Sequence, residues 1–227
     1  MTTNSIIDKA LAEGRRLLFA DEAAAIMDTA GIPVNRCLAA VDEAATLEAA
    51  GKMGYPVALK VCSAQISHKT DAGGVALGIK DPEGLRQAYG QMMEKVRGLD
   101  PLAQVTVEPM AASGIELFVG MTRDLQFGPV LAFGLGGTFL ELYNDTTFRL
   151  IPLKETDAED MLKSIKGAKI LKGYRGQPPV KTEAVTGIIM NLSKLVEETP
   201  RIKEIDLNPV LAYSDGVLAV DARIILE

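Results

Sequence analysis

Apolar residues in the first half of the chain alternate between helical spacing and strand-like runs. Leu85, Met92 and Val96 form one apolar helical stripe, and Asp81-Pro82 supplies its N-cap and first position. Alternating elements of this kind predict an open α/β unit of roughly 90 residues. The predicted elements are helices at 6–17 and 21–30, a strand at 34–40, a helix at 42–53, strands at 57–62 and 75–79, a helix behind Pro82, and a strand at 105–109.

The second half has more strands and fewer helices. The spacing of Thr156 and Glu159 predicts a capping box that opens a short helix. The other predicted elements are strands at 115–121 and 129–133, a hairpin of 139–143 and 147–151, a helix at 182–198, and a hairpin of 202–213 and 217–226 turned by Ser214-Asp215-Gly216. We therefore expect an N-terminal helix (1–20) and two lobes of the α/β or α+β class (21–110 and 111–227). A hinge near 108–113 would suit a nucleotide.

Charge and composition restrict the classes of function. The 227 residues include 24 Lys and Arg against 30 Asp and Glu, a formal net charge of −6, which disfavours non-specific nucleic-acid binding. The apolar share of 48% is typical of a globular protein. The sequence shows no signal-peptide pattern and no apolar stretch of about 18 residues, so we expect a cytoplasmic protein without membrane contact. Cys37 and Cys62 lie in apolar runs and predict buried, reduced thiols.

Lys60 stands in the middle of the apolar strand 57–62. Strand alternation places it on the face opposite Leu59 and Val61. Because burial of an unpaired ammonium is costly, Lys60 must reach an anion or a water-filled cleft. The alternative is an edge strand from which the ammonium reaches solvent. This segment alone favours neither.

The polar loop after this strand contains the single histidine of the chain, His68, and ends in Gly73-Gly74. Glycines that follow a strand let backbone amides approach phosphate oxygens. A lone histidine in a polar loop is, however, most often an ordinary surface residue. The loop by itself leaves both interpretations open.

The sequence Gly-Leu-Gly-Gly at 134–137 looks like the start of a dinucleotide-binding fingerprint. That fingerprint requires glycine at position 139, which is Phe139, and a helix, whereas a strand pattern follows. We predict instead that these glycines serve a turn or a close backbone approach.

Carboxylates and an amide follow one face of the C-terminal hairpin. Glu204, Asp206 and Asn208 alternate along a strand, and pairing brings Asp221 within about one register step of Asn208. Such oxygen ligands suit Mg²⁺, which completes its shell with water and phosphate oxygens. A solvated sheet face is as good an explanation of the alternation, but a carboxylate at Asp221, inside an apolar run, needs a partner.

Several sequence blocks together resemble the ATP-grasp portion of the nucleoside-diphosphate-forming acyl-CoA synthetases. In ADP-forming acetate–CoA ligases this portion is a separate beta subunit. The blocks span roughly residues 10–227 in the family's order: GYPVALKV, SAQISHKTDAGGV, VEPM, GIELFVGMTRD, FGPVLAFGLGGTFLELYNDTTFRLIPL and EIDLNPV. The resemblance implies an ATP-grasp fold with nucleotide bound between the sheets of its two lobes.

The resemblance also implies roles for the residues that would bind nucleotide. Lys60 would contact the phosphates, Glu108 and the segment to Met110 would hold the adenine edge, and Glu116 would bind the ribose. These assignments would give the ammonium of Lys60 the anion that its strand position requires.

The same resemblance implies the phosphoryl and metal sites. Gly73 and Gly74 would help cradle the phosphate, and His68 would be the second phosphohistidine of a relay. Asn208 and Asp221 match the two metal ligands of the related succinyl-CoA synthetase beta subunit, where their separation is one residue longer.

The implied activity is that of an acid–thiol ligase: acyl-CoA + ADP + phosphate ⇌ carboxylic acid + ATP + CoA, with ATP/ADP and Mg²⁺. The chain shows no second mononucleotide-binding half for CoA, so a CoA-binding alpha subunit is expected, in an α2β2 assembly. One alternative is a free-standing ATP-grasp carboxylate ligase, which would need neither a partner nor His68. Another is a nucleotide-sensing regulatory module, which the presence of Lys60, His68, Asn208 and Asp221 disfavours.

Overall fold

The computed structural model describes residues 2–63, 65–66, 69, 72–137, 145–174, 176 and 178–227. Helices and strands alternate in the first half of the chain, and strands predominate in the second half. In chain order they are α1 (Thr3–Ala12), α2 (Ala20–Thr29), β1 (Leu38–Ala40), α3 (Glu43–Met53), β2 (Val57–Cys62), β3 (Val75–Ile79), α4 (Pro82–Val96), β4 (Gln104–Pro109), β5 (Ile115–Asp124), β6 (Gly128–Leu135), β7 (Thr146–Leu150), α5 (Glu155–Ser164), α6 (Ala168–Leu171), α7 (Thr182–Glu198), β8 (Ile202–Ala212), β9 (Val217–Ala219) and β10 (Ala222–Leu226).

The chain divides into two compact units. The small unit consists of Phe19–Ala24 and Asn35–Ala112, and the large unit consists of Met1–Leu18, Ala25–Val34 and Ser113–Glu227. The expected division after residue 110 therefore falls two residues later. Residues 1–18 and 25–34 group with the C-terminal part, whereas the sequence suggested a separate helix (1–20) and placed 21–110 in one lobe.

The small unit is a four-stranded antiparallel sheet, in the order β1-β4-β2-β3, with two helices on one face. Leu59 and Val61 of β2 and Val107 of β4 point into the core on that face, where α3 and α4 pack. Asp42 caps α3 and Asp81 caps α4, each by accepting a backbone amide at 2.8 Å. The helices leave the second face of the sheet for polar side chains.

The large unit is built on a second antiparallel sheet, in the order β10-β8-β5-β6-β7, with β9 also paired to β8. The helices α5 and α7 pack against each other, and both contact β6. Strand alternation buries Val119 and Met121 of β5 and Leu207 of β8 on one face. The opposite face of the sheet carries Glu116 and Asn208.

The predicted helix 182–198 is confirmed as α7, but several predicted boundaries are wrong. The predicted helix 6–17 ends at Ala12, and the predicted strand 34–40 is reduced to β1. The predicted capping box of Thr156 and Glu159 is also wrong, because α5 begins at Glu155 and the Lys154 amide donates to Asp157 Oδ2 at 2.8 Å.

Of the two predicted hairpins, one is confirmed and the other lies partly outside the described residues. Residues 139–143 lie outside the described residues, and the strand expected at 147–151 is present as β7, with β6 as its described partner. The C-terminal hairpin is confirmed, although Val220 and Asp221 interrupt its second strand between β9 and β10. Within the described part of the chain, every helix is too short or too polar to cross a membrane.

Candidate functional site

Lys60 and Glu108 form a buried ion pair on the second face of the small unit's sheet. Lys60 Nζ lies 2.7 Å from Glu108 Oε2, and the two side chains are only 8% and 4% exposed. The strand that carries Lys60, β2, lies between β4 and β3, so the edge-strand alternative is wrong. The anion that the position of Lys60 requires is present within the small unit itself.

Asn35 contributes a second donor to the same carboxylate. Its Nδ2 lies 3.4 Å from Glu108 Oε2 and 3.1 Å from the carbonyl oxygen of Pro109, and the residue is 7% exposed. A buried carboxylate is stable only when donors replace its lost water, so Asn35 and Lys60 act together on one oxygen. Sequence reasoning missed Asn35, which lies outside every motif.

Thr106 is a further polar residue that sequence reasoning missed on this face. It stands opposite Lys60 in the β2–β4 register and is fully buried. Its Oγ1 has no hydrogen-bond partner among the described residues. The alternation of Thr106 and Glu108 with Val105 and Val107 was the signal that could have revealed this polar face.

The two cysteines are both protonated at neutral pH. Burial raises the pKa of the Cys37 thiol to about 12, and the negative charge of Glu108 acts in the same direction. Burial also raises the pKa of Cys62, against a smaller opposing effect of a hydrogen bond with the backbone of Ala20. Cys62 is buried as expected, whereas Cys37 is half-buried.

His68 lies outside the described residues, but the segment that precedes it is anchored. The Ser63 hydroxyl donates to Asp100 Oδ2 at 2.6 Å and accepts the Gln65 amide at 3.0 Å. Asp100 is 4% exposed, and its other carboxylate oxygen accepts the Leu102 amide at 2.9 Å. Ser63, the residue that follows β2, is therefore held in place by these hydrogen bonds.

Gly74 anchors the other end of the loop. Its amide donates to the Lys69 carbonyl and its carbonyl accepts the Val61 amide, both at 2.7 Å. A Cβ on Gly74 would overlap the Val61 side chain, and Gly73 has a φ of +68°. Packing explains why residue 74 is glycine, and its amide is already engaged, so of the two predicted cradle residues Gly73 is the better candidate for a phosphate contact.

Met110 follows the end of β4 and is 39% exposed. Its amide donates to the Pro56 carbonyl at 3.3 Å, and its Sδ accepts the Gly78 amide at 3.3 Å. These contacts fix the segment from Glu108 to Met110 against β2 and β3. The predicted base-binding segment is thus held by hydrogen bonds to the backbone at Pro56 and Gly78, as well as by Asn35.

Asn208 and Asp221 are direct neighbours in the large unit. Ala222 stands opposite Leu207, and one step further the Asn208 amide donates to the Asp221 carbonyl at 3.3 Å. The predicted proximity of the two residues is therefore confirmed. Glu204 shares this face but lies 3.7 Å from Arg223 Nη1, which gives it a partner of its own.

The described residues contain no cluster of three or more His, Cys, Asp or Glu side chains suited to a metal ion. Asn208 and Asp221 together offer an amide oxygen and a carboxylate, the oxygen ligands that Mg²⁺ takes. Phosphate and water oxygens can fill the other positions around Mg²⁺, so such an ion needs no third protein ligand. The two residues fit such an ion.

Glu116 lies on the exposed side of β5, beside the glycine-rich turn after β6. The Gly136 amide donates to the Glu116 carbonyl at 2.8 Å. Gly137 has a φ of +60°, and a Cβ there would overlap the Glu116 carboxylate. A Cβ on Gly134 would likewise overlap the Asp145 carbonyl. The prediction that these glycines serve a turn and close approach is confirmed.

Comparisons with known proteins agree on the family. The sequence model of the ATP-grasp domain matches residues 9–226. Acetate–CoA ligase (ADP-forming) I subunit beta of Pyrococcus furiosus is 46% identical over 224 residues, which cover 97% of this chain and 96% of that subunit. Acetate–CoA ligase (ADP-forming) I of Archaeoglobus fulgidus is 38% identical over 97% of this chain but only 32% of its own length.

The fold also matches solved structures. Acetyl-coenzyme A synthetase 1 of Ca. Korarchaeum cryptofilum, in complex with coenzyme A and Ca-AMPCP, superposes with a TM-score of 0.95 at 41% identity, covering 99% of this chain and 100% of that one. Another structure of that enzyme, with coenzyme A and Mg-AMPPCP, gives a TM-score of 0.86 at 40% identity over the same shares. The chain therefore belongs to the ATP-grasp family, among the beta subunits of the ADP-forming acetate–CoA ligases.

Proposed function

We propose that this chain is the nucleotide-binding beta subunit of an ADP-forming acyl-CoA synthetase, which converts acyl-CoA, ADP and phosphate to a carboxylic acid, ATP and CoA. The observation that carries the proposal is the match to a beta subunit over nearly the full length of both chains. The longer relative, of which this chain spans about a third, supports a CoA-binding alpha subunit as the partner. An α2β2 assembly is part of the proposal.

The chemistry assigned to this chain is phosphoryl transfer. In the partner, phosphate displaces CoA from the acyl group, and a partner histidine takes the phosphoryl group and releases the carboxylate. The imidazole of His68 then takes the phosphoryl group from that histidine, and the β-phosphate oxygen of ADP takes it from His68, which regenerates the free imidazole. A neutral imidazole nitrogen is nucleophilic, and its phosphoramidate retains enough free energy to phosphorylate ADP.

The nucleotide-binding roles fall on Lys60, Glu108, Met110 and Glu116. An ammonium has three donors, of which the ion pair with Glu108 engages one, and the proposal adds a phosphate oxygen as an acceptor of Lys60. We assign the purine edge to Glu108 and the segment to Met110, and the ribose to Glu116, whose carboxylate is exposed. Gly73 would contribute its amide to the phosphate.

Asn208 and Asp221 are the proposed ligands of the magnesium that accompanies the nucleotide. When bound, Mg²⁺ would neutralise charge on the phosphate oxygens during transfer. The residues' own contribution is to present an amide oxygen and a carboxylate from directly opposed positions of one hairpin.

The first test uses the fact that His68 is the only histidine of the chain. The purified chain is incubated with γ-labelled ATP and Mg²⁺, without a partner, and tested for label that is lost in acid and kept in base. We expect such label in the natural chain and none in His68→Ala, and Lys69→Ala serves as a control from the same loop. Label retained in His68→Ala would overturn the relay.

The second test adds a candidate alpha subunit and measures ATP formed from acyl-CoA, ADP and phosphate. We expect activity only when both chains are present. Thioester formation by the beta chain alone would favour a free-standing carboxylate ligase, and nucleotide binding without any transfer in the complex would favour a regulatory module.

A further inference from the structure

Asn35 is the first residue of the long segment of the small unit, and it is placed to act on the proposed base-binding segment. One nitrogen, Nδ2, reaches two acceptors: Glu108 Oε2 at 3.4 Å and the Pro109 carbonyl at 3.1 Å. Both acceptors belong to the segment from Glu108 to Met110. The side-chain amide of Asn35 therefore holds the Glu108 carboxylate and the next backbone carbonyl, that of Pro109, close to the same nitrogen atom.

The burial of this arrangement makes the amide costly to replace. Asn35 is 7% exposed and Glu108 is 3% exposed, so water is poorly placed to substitute for a lost donor. Lys60 holds the same oxygen of Glu108 at 2.7 Å. Asn35 and Lys60 together restrict the carboxylate to one orientation.

We propose that Asn35 is a positioning residue that sets Glu108 and the Pro109 carbonyl for recognition of the purine base. This inference rests on the proposed function, which assigns the base to this segment. It makes the adenine edge depend on a residue outside the segment, whereas Asn35 bonds to Glu108 and Pro109 and not to the ammonium of Lys60 that the proposal assigns to phosphate.

The test is steady-state ATP synthesis by the complex with the alpha subunit, for the natural chain, Asn35→Ala and Asn35→Asp. Asn35→Asp keeps the volume but replaces the donor with an acceptor, which faces Glu108 Oε2 and the Pro109 carbonyl. Hydrogen bonds to charged groups contribute about 1.5–3 kcal/mol, so we expect KM for ADP to rise at least about tenfold in Asn35→Ala and further in Asn35→Asp. We expect kcat to change by less than about twofold.

Magnesium pyrophosphate, which has no base, is the probe that separates positioning from general loosening of the small unit. Its inhibition constant is expected to stay unchanged in both variants. Asn191→Ala is the matched control, because Asn191 Nδ2 also donates to a backbone carbonyl, that of Gly31, at 3.0 Å in the large unit. All variants are compared at a temperature where circular dichroism shows them folded, and Asn35→Asp remains the test if Asn35→Ala does not fold.

An unchanged KM for ADP, or equal losses for ADP and pyrophosphate, would overturn the role of Asn35. These outcomes are distinct from a failure of the proposed function. If the proposed function is wrong, the natural chain and Asn191→Ala will themselves make no ATP with the alpha subunit.

Discussion

Asn208 and Asp221 lie directly opposite each other in the C-terminal hairpin, where the Asn208 amide donates to the Asp221 carbonyl at 3.3 Å. Asp221 occupies the short break between β9 and β10. One backbone hydrogen bond therefore holds two residues with oxygen-bearing side chains next to each other across the hairpin.

Replacement of either residue by alanine should weaken binding of magnesium ADP without unfolding the chain. We expect at least about a tenfold rise in Kd for Asn208→Ala and Asp221→Ala by calorimetry, because each removes a proposed metal ligand. Asp215→Ala, in the exposed turn of the same hairpin, should bind normally. With ADP in EDTA the variants should match the natural chain, and a loss that persists there would exclude a metal role.

Loss of Lys60 should destabilise the small unit strongly. Lys60→Met leaves the Glu108 carboxylate buried without its ammonium, which costs about 3–5 kcal/mol of unfolding free energy. Lys52→Met is the control, because Lys52 Nζ lies at the same 2.7 Å from Glu48 but both side chains are more than half exposed. That surface pair should contribute less than about 1 kcal/mol in urea unfolding.

The double variant Lys60→Met/Glu108→Leu tests whether the pair serves binding or stability. Replacement of both partners by apolar groups removes the unpaired charge, so stability should recover by more than half of the Lys60→Met loss. Nucleotide affinity should stay low. Recovery of both properties would show that the pair is needed for folding alone.

Stability at high pH should depend on Cys37. Its pKa is raised in the folded protein to about 12 from an ordinary value of 9.0, so the unfolded chain loses its thiol proton first. The free energy of unfolding should therefore fall as pH rises from about 9 towards 12, by about 1.4 kcal/mol per pH unit at most from this thiol. Urea unfolding at pH 8, 9 and 10 should give a flatter profile for Cys37→Ala, whereas parallel profiles would contradict the assignment.

Alanine at position 74 should destabilise the chain. Its Cβ would overlap Val61 and lie 3.0 Å from the Lys69 carbonyl, a form of overpacking that costs about 1–3 kcal/mol. Gly90→Ala, in α4 where a Cβ meets nothing within 4 Å, should instead be neutral or stabilising by up to about 1 kcal/mol. Val61→Ala combined with Gly74→Ala should relieve part of the loss of stability, because it removes the overlapping side chain. If the two single losses of stability simply add, the overlap with Val61 is not the cause.

Local patterns predicted a large part of this molecule. The helix expected at 182–198 is present as α7, and strand alternation within the predicted hairpin was sufficient to place Asn208 beside Asp221. The cost of burying a charge required an anion or water beside Lys60 but did not decide between them. The helix and the hairpin could be predicted because the interactions that form them act between residues close in sequence or paired across a short turn.

The parts that could not be predicted depend on contacts between distant residues. Asn35 and Glu108 are 73 positions apart, and neither lies in a pattern that names the other. The grouping of Ala25–Val34 with the C-terminal part is likewise a tertiary effect, since the helix signal of residues 21–30 continues without a break. The start of α5 was misplaced because Asp157 competes with Glu159 as the capping carboxylate.

Ser63 and Gly74, the anchored residues on either side of His68 in the sequence, limit how far the Cα atom of His68 can lie from each of them. Ser63 is held by Asp100, and His68 follows it by five positions, so covalent geometry limits the distance between their two Cα atoms to at most about 18 Å. The second anchor, at Gly74, restricts the reachable volume further. In the proposed relay, a phosphoryl group that starts beyond this distance from the anchors would have to be brought within it by its donor, so the proposal assigns the long-range movement to the partner subunit.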